Sequence, residues 1–165
     1  MKIVIIVLLG LSLIFALIGT TTDRWYQNTL NNSNEGLWIY CQRLSSNSSS
    51  SSIINHCYKQ PYFKSQSLAI SGIILLFIGF VLSIVYFYKR ENDRLLIYII
   101  IVILLASTLL LIFSYLLYPR NVHLRQLGYS IYSMSISSVI VLISTALITF
   151  LAKTIQSTRT LTSFT

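Results

Sequence analysis

The strongest constraint on this chain is a set of four apolar runs that contain no Asp, Glu, Lys, Arg or His. They cover 3–22, 67–88, 95–118 and 129–152. Each matches the roughly 20 residues that a helix needs to cross the hydrocarbon core of a bilayer. Backbone polar groups must be paired inside the segment there, so runs of this kind span as helices. The expected fold is a membrane all-α four-helix transmembrane bundle. Of the 165 residues, 55% are hydrophobic, more than a soluble domain usually carries. The whole chain therefore reads as a single tetraspan domain, with a first loop over 23–66, a turn over 89–94, a second loop over 119–128 and a tail over 153–165.

A short basic start before the first run also fits a cleaved signal peptide, and Gly19-Thr20-Thr21 supplies small residues near its end. The run is longer than the usual apolar region of roughly 7–15 residues, so a retained span is expected. Three spans carry small-residue faces suited to close helix approach. These are Ser12, Ala16 and Thr20 in the first, Gly72, Gly79 and Ser83 in the second, and Ser130, Ser133, Ser137 and Ser144 in the fourth. The second span ends in Tyr86-Phe87-Tyr88 followed by Lys89-Arg90, an aromatic belt with cationic anchors.

The first loop holds both tryptophans, Trp25 and Trp38, and the only two cysteines, Cys41 and Cys57. A bridge between them closes a loop of about 17 residues and is worth about 3 kcal/mol in the chain-entropy model. The competing reading is two unrelated buried thiols. His56 is the single nearby candidate for a further metal ligand, too few donors for a site. Two N-x-S/T triplets begin at Asn31 and Asn47 and are possible N-glycosylation acceptors. Together with the cysteine pair they favour a lumenal or extracellular face. The serine run Ser48–Ser52 reads as a loop tip. Leu37, Ile39 and Cys41 alternate with Trp38 and Tyr40, as in a short strand, and Ile53-Ile54 with Cys57-Tyr58 supplies a partner.

The twelve Lys and Arg residues divide evenly between the two sides of a four-span arrangement. The tight basic turn at Lys89–Arg94 is the more informative group, because long loops translocate with little regard to charge. With the cysteines and the triplets, it places both termini in the cytoplasm and the chain in the plasma membrane.

Trp25, then Gly36-Leu37-Trp38-x-x-Cys41, then Cys57, resembles the signature of the claudin superfamily. Gly128-Tyr129-Ser130-x-Tyr132 at the start of the fourth span is most like the peripheral myelin protein and epithelial membrane protein branch. The resemblance covers essentially the whole chain, although only the first-loop residues are specific. It implies a left-handed bundle, a disulfide-linked extracellular β-sheet formed by the first loop, and a GLW tryptophan tucked between sheet and helix tops. The serine insert makes the Cys41–Cys57 spacing longer than the claudin norm. Ser163-Phe164-Thr165 lacks the apolar last residue that junction-scaffold domains read, which points away from direct tight-junction scaffolding.

Charge and motif together narrow the function classes. The net charge of +8 arises from a scarcity of acids, with only 10% of residues charged. The cations are scattered singly instead of clustered as a nucleic-acid binder requires. The spans carry no ionisable group for a proton relay or ion coupling, and no motif assembles catalytic groups. The expectation is a non-enzyme with no cofactor and no small-molecule substrate, in contact with membrane lipid and with itself or another membrane protein. A structural or adhesive role at cell junctions comes first. An auxiliary, gamma-like subunit of a channel or receptor is the alternative. A paracellular barrier or anion-favouring pore, using Arg43, Lys59, Lys64, Arg120 and Arg125, is the weaker one.

Overall fold

The computed structural model describes residues 2–22, 25–28, 33–44, 54–59, 63–89, 94–117 and 125–162. Four helices carry most of the chain: α1 (Lys2–Thr21), α2 (Phe63–Lys89), α3 (Arg94–Leu116) and α4 (Tyr129–Thr162). All four are long and apolar enough to cross a membrane, in agreement with the expected four-span bundle. Their ends follow local chemistry. α2 starts two residues after Pro61, and α3 stops three residues before Pro119, as expected where proline disfavours helix on its N-terminal side. α4 runs well past the expected 129–152, into the segment read as a tail. Nothing between Tyr129 and Thr162 is Gly or Pro, so no breaker stops it where the apolar run ends.

The helices form two antiparallel pairs, α1 with α4 and α2 with α3, joined by lighter contacts of α1 with α2 and α3 with α4. Small residues set the spacing within each pair. A Cβ on Gly19 would lie 2.6 Å from Met134 Cγ and 2.9 Å from the Ser130 carbonyl oxygen. One on Gly79 would lie 2.7 Å from Leu104 Cδ2. Each pair is also latched by hydroxyls bonded to the facing backbone. Ser137 donates to Ser12 O (2.7 Å), Ser107 to Gly72 O (2.8 Å) and Ser65 to Ser114 O (2.6 Å). Ser12, Ala16, Thr20, Ser83, Ser130, Ser137 and Ser144 are buried, as the small-residue faces suggest. Ser133 is not. It lies at the edge of the stripe, where its hydroxyl bonds back to Tyr129 O within its own helix.

A five-stranded antiparallel sheet sits at the end of the bundle where α1 finishes and α2 begins. Its strands are β1 (Tyr26–Asn28), β2 (Ser33–Glu35), β3 (Ile39–Leu44), β4 (Ile54–Lys59) and β5 (Arg125–Leu127), in the order β4-β3-β2-β1-β5. The first loop alone was expected to build it, yet the second loop contributes β5. That strand pairs with β1 in the register Tyr26↔Leu127, tying both loops into one layer. Asn31, Asn47 and Ser48–Ser52 lie outside the described residues.

Candidate functional site: an indole-capped platform

The last carbonyls of any α-helix lack intrahelical partners, and at the end of α1 they point toward the sheet. Ile18 O is taken by the Thr22 backbone N–H (3.2 Å) and the Thr22 hydroxyl (2.7 Å). Gly19 O accepts from the indole Nε1 of Trp25 at 2.8 Å, and Thr20 O from the indole of Trp38 at 2.7 Å. The two tryptophans thus complete the C-terminus of α1 with side-chain donors that come from the sheet. An indole suits this position because it carries a single N–H, no competing acceptor, and a large apolar body to seal the surroundings. Trp25 is fully buried, and Trp38 is partly buried against the core.

The turn of the GLW motif explains how Trp38 gets there. Glu35 pairs with Tyr40, and Gly36 N–H donates to Ile39 O at 2.8 Å. Leu37 and Trp38 are therefore the two central residues of the β2–β3 hairpin turn. Such turns usually take Asn, Asp or Gly in water. This one is apolar because its tip plugs the mouth of the bundle: Leu37 is fully buried, and its carbonyl accepts from Gln66 Nε2 of α2 at 2.9 Å. The expected alternating strand beginning at Leu37 is corrected accordingly, with strand pairing starting at Ile39.

Further links make the platform rigid. Gly128 N–H donates to Trp25 O at 2.8 Å, and the Thr22 and Ser130 hydroxyls lie 2.6 Å apart. The start of α4, the end of α1 and the sheet are joined at one point. Cys41 and Cys57 stand directly opposite each other in the β3–β4 ladder and are disulfide-bonded, with a Cα–Cα distance of 4.1 Å. At the bridge and just after it, Cys57, Tyr58 and Lys59 are all exposed. Adjacent residues of a strand face opposite ways, so this end of β4 stands clear of the helices on both faces.

No family model matches the chain, and no curated protein matches it.

The structure gathers Trp25, Gly36, Leu37 and Trp38 at the top of the bundle, with Cys41 and Cys57 further out along the sheet. Sequence reasoning missed Gln66, which it left as the last residue of the polar loop. Its signal was helical spacing: Gln66, Ala69, Ile73 and Leu76 follow one another on the inner face of α2, and a glutamine in such a row needs an acceptor.

Proposed function

We propose that this chain is a claudin-like structural membrane protein whose sheet is held as a rigid contact surface outside the cell, engaging further copies or an apposed membrane. The observation that carries the reading is the double indole cap. It welds a sheet from two loops to a bundle whose interior is filled by packed small and apolar side chains. A rigid platform loses little conformational freedom when it meets a partner, which suits adhesion. In this reading the sheet end faces the oxidising side, both termini are cytoplasmic, and Asn31 and Asn47 are open to glycosylation.

Reconstitution into giant vesicles tests it. The full chain should concentrate where two vesicles touch. A variant with Trp25→Phe and Trp38→Phe should insert normally but concentrate less, because the platform has lost its two anchoring donors. An even distribution of the native chain over touching and free membrane would overturn the adhesive reading. Recovery from native membranes in stoichiometric complex with a larger channel or receptor would replace it with the auxiliary-subunit reading.

A further inference from the structure

We propose that the Cys41–Cys57 bridge is a site of thiol–disulfide exchange, attacked at Cys57 by a small anionic thiol. Exchange requires a thiolate to reach one of the two sulfurs. The bridge joins β3 to β4, the outermost strand in the order β4-β3-β2-β1-β5. Cys57 is exposed and Cys41 is half-buried, so the approach is to Cys57. Buried structural cysteines are inert, whereas reactive ones combine partial exposure with positive surroundings. The β3–β4 ladder supplies both.

The positive surroundings follow from the register. Cys41 and Cys57 are directly opposite partners, and residues two apart on a strand share a face. Arg43 stands two positions after Cys41, and Lys59 two positions after Cys57. Because the strands are antiparallel, the two cations fall on opposite sides of the bridge, paired with Asn55 and Ile39. Lys59 is exposed. Neither strand contains an acid. On the next strand the neutral Asn34 is level with the bridge. Glu35 pairs with Tyr40, which is adjacent to Cys41 and so belongs to the other face. Among the described residues of the sheet, the face that carries the bridge therefore holds cations and no acid.

The step balances without an added oxidant or reductant. The incoming thiolate attacks Cys57 Sγ and forms a new S–S bond with it. The Cys41–Cys57 bond breaks, and its electron pair leaves on Cys41 Sγ. One thiolate is consumed and one is released. The cation near the attacked sulfur draws the anion in, and the cation near the departing sulfur favours its thiolate. Cys41 stays opposite Cys57 in the ladder, placed to expel the thiol again, so the step is reversible. While the bridge is open, β4 is held to β3 by ladder hydrogen bonds alone, because no described helix packs substantially on it. The level of small thiol around the sheet then sets how firmly its outer strand is fixed. None of this depends on whether the sheet is adhesive.

The test uses the full chain in phosphatidylcholine nanodiscs at low salt, treated with glutathione, which is anionic, or cysteamine, which is cationic. Free thiols are then trapped with N-ethylmaleimide, and peptide mass spectrometry locates both groups. Glutathione should be found on Cys57 and maleimide on Cys41. Relative to their rates on an uncharged small disulfide, glutathione should outpace cysteamine about three- to tenfold, as two cations roughly 7 Å away in water allow. High salt should bring that ratio toward one. Lys59→Gln, at an exposed position, should lower it about two- to threefold, and Lys59→Arg should retain it. Glutathione on Cys41, or a ratio equal to that on the uncharged disulfide, would overturn the proposal. So would a bridge left intact after the reference disulfide has fully exchanged, which would make it purely structural.

Discussion

At the scale of single residues, two indole N–H groups finish a helix that its own backbone cannot finish. Phenylalanine keeps most of the ring's apolar surface and deletes only the donor. Trp25→Phe leaves Gly19 O unpaired at a site closed to water, at a cost of about 1–3 kcal/mol. Trp38 is only partly buried, so water can take over part of its role, and Trp38→Phe should cost less than Trp25→Phe. Alanine at Trp25 also removes the packing and should cost about 3–5 kcal/mol. Thermal unfolding in detergent, followed by loss of the monodisperse peak, ranks the three. The glycines offer a second contrast. At Gly19 an added methyl meets the Ser130 carbonyl, which belongs to the backbone of α4, whereas at Gly79 the nearest atom is the far end of the Leu104 side chain. Gly19→Ala should therefore destabilise clearly, by about 1–3 kcal/mol, and Gly79→Ala less, because a leucine terminus can turn aside. Equal losses at both positions would show that α1 and α4 separate as easily as one side chain rotates.

At the scale of elements, the Cys41–Cys57 bridge ties β4 to β3, and no described helix packs substantially on that strand. Helix insertion does not depend on the bridge, since each span is long and apolar enough by itself. Cys41→Ser and Cys57→Ser should therefore insert normally while the β3–β4 ladder loosens, with a loss of about 3 kcal/mol. Limited proteolysis within β4 (Ile54–Lys59) should speed up equally in both single variants, and no further in the double variant, since the same bridge is lost each time. Much of this level was legible in the sequence. Uncharged runs of membrane length announce their helices, and small residues at helical spacing announce which faces meet. The sheet was half legible. Its cysteine ladder was visible in the residues, but β5 is only Arg125-Gln126-Leu127, too short for any period to show. The caps were not legible, because which carbonyls lack partners depends on where α1 ends and on what the tertiary fold brings above it. The hairpin turn misled for a related reason: Leu37 and Trp38 look like strand residues because burial, not solvent, chose them.

At the scale of the whole molecule, the sheet and the far end of α4 mark opposite ends of the bundle, so two labels suffice to fix its direction in the membrane. A disulfide persists in an oxidising compartment and is rare where thiols are kept reduced. On the proposed reading the Cys41–Cys57 bridge sits outside; the basic residues divide evenly in sequence, and only the tight turn at Lys89–Arg94 leans toward the same direction. With Cys41→Ser and Cys57→Ser as background the chain has no cysteine, and single probes can be introduced at will. Tyr58 on β4 is 59% exposed, and Thr154 near the far end of α4 is exposed as well, so neither substitution disturbs a packed position. On intact cells, a membrane-impermeant maleimide should label Tyr58→Cys and leave Thr154→Cys unlabelled until the membrane is permeabilised. Labelling of Thr154→Cys alone would turn the molecule over, moving the platform to the cytoplasmic side, where an adhesive role fails. Equal labelling of both in sealed cells would mean mixed insertion, the outcome that a balanced charge distribution permits when no loop is retained on either side.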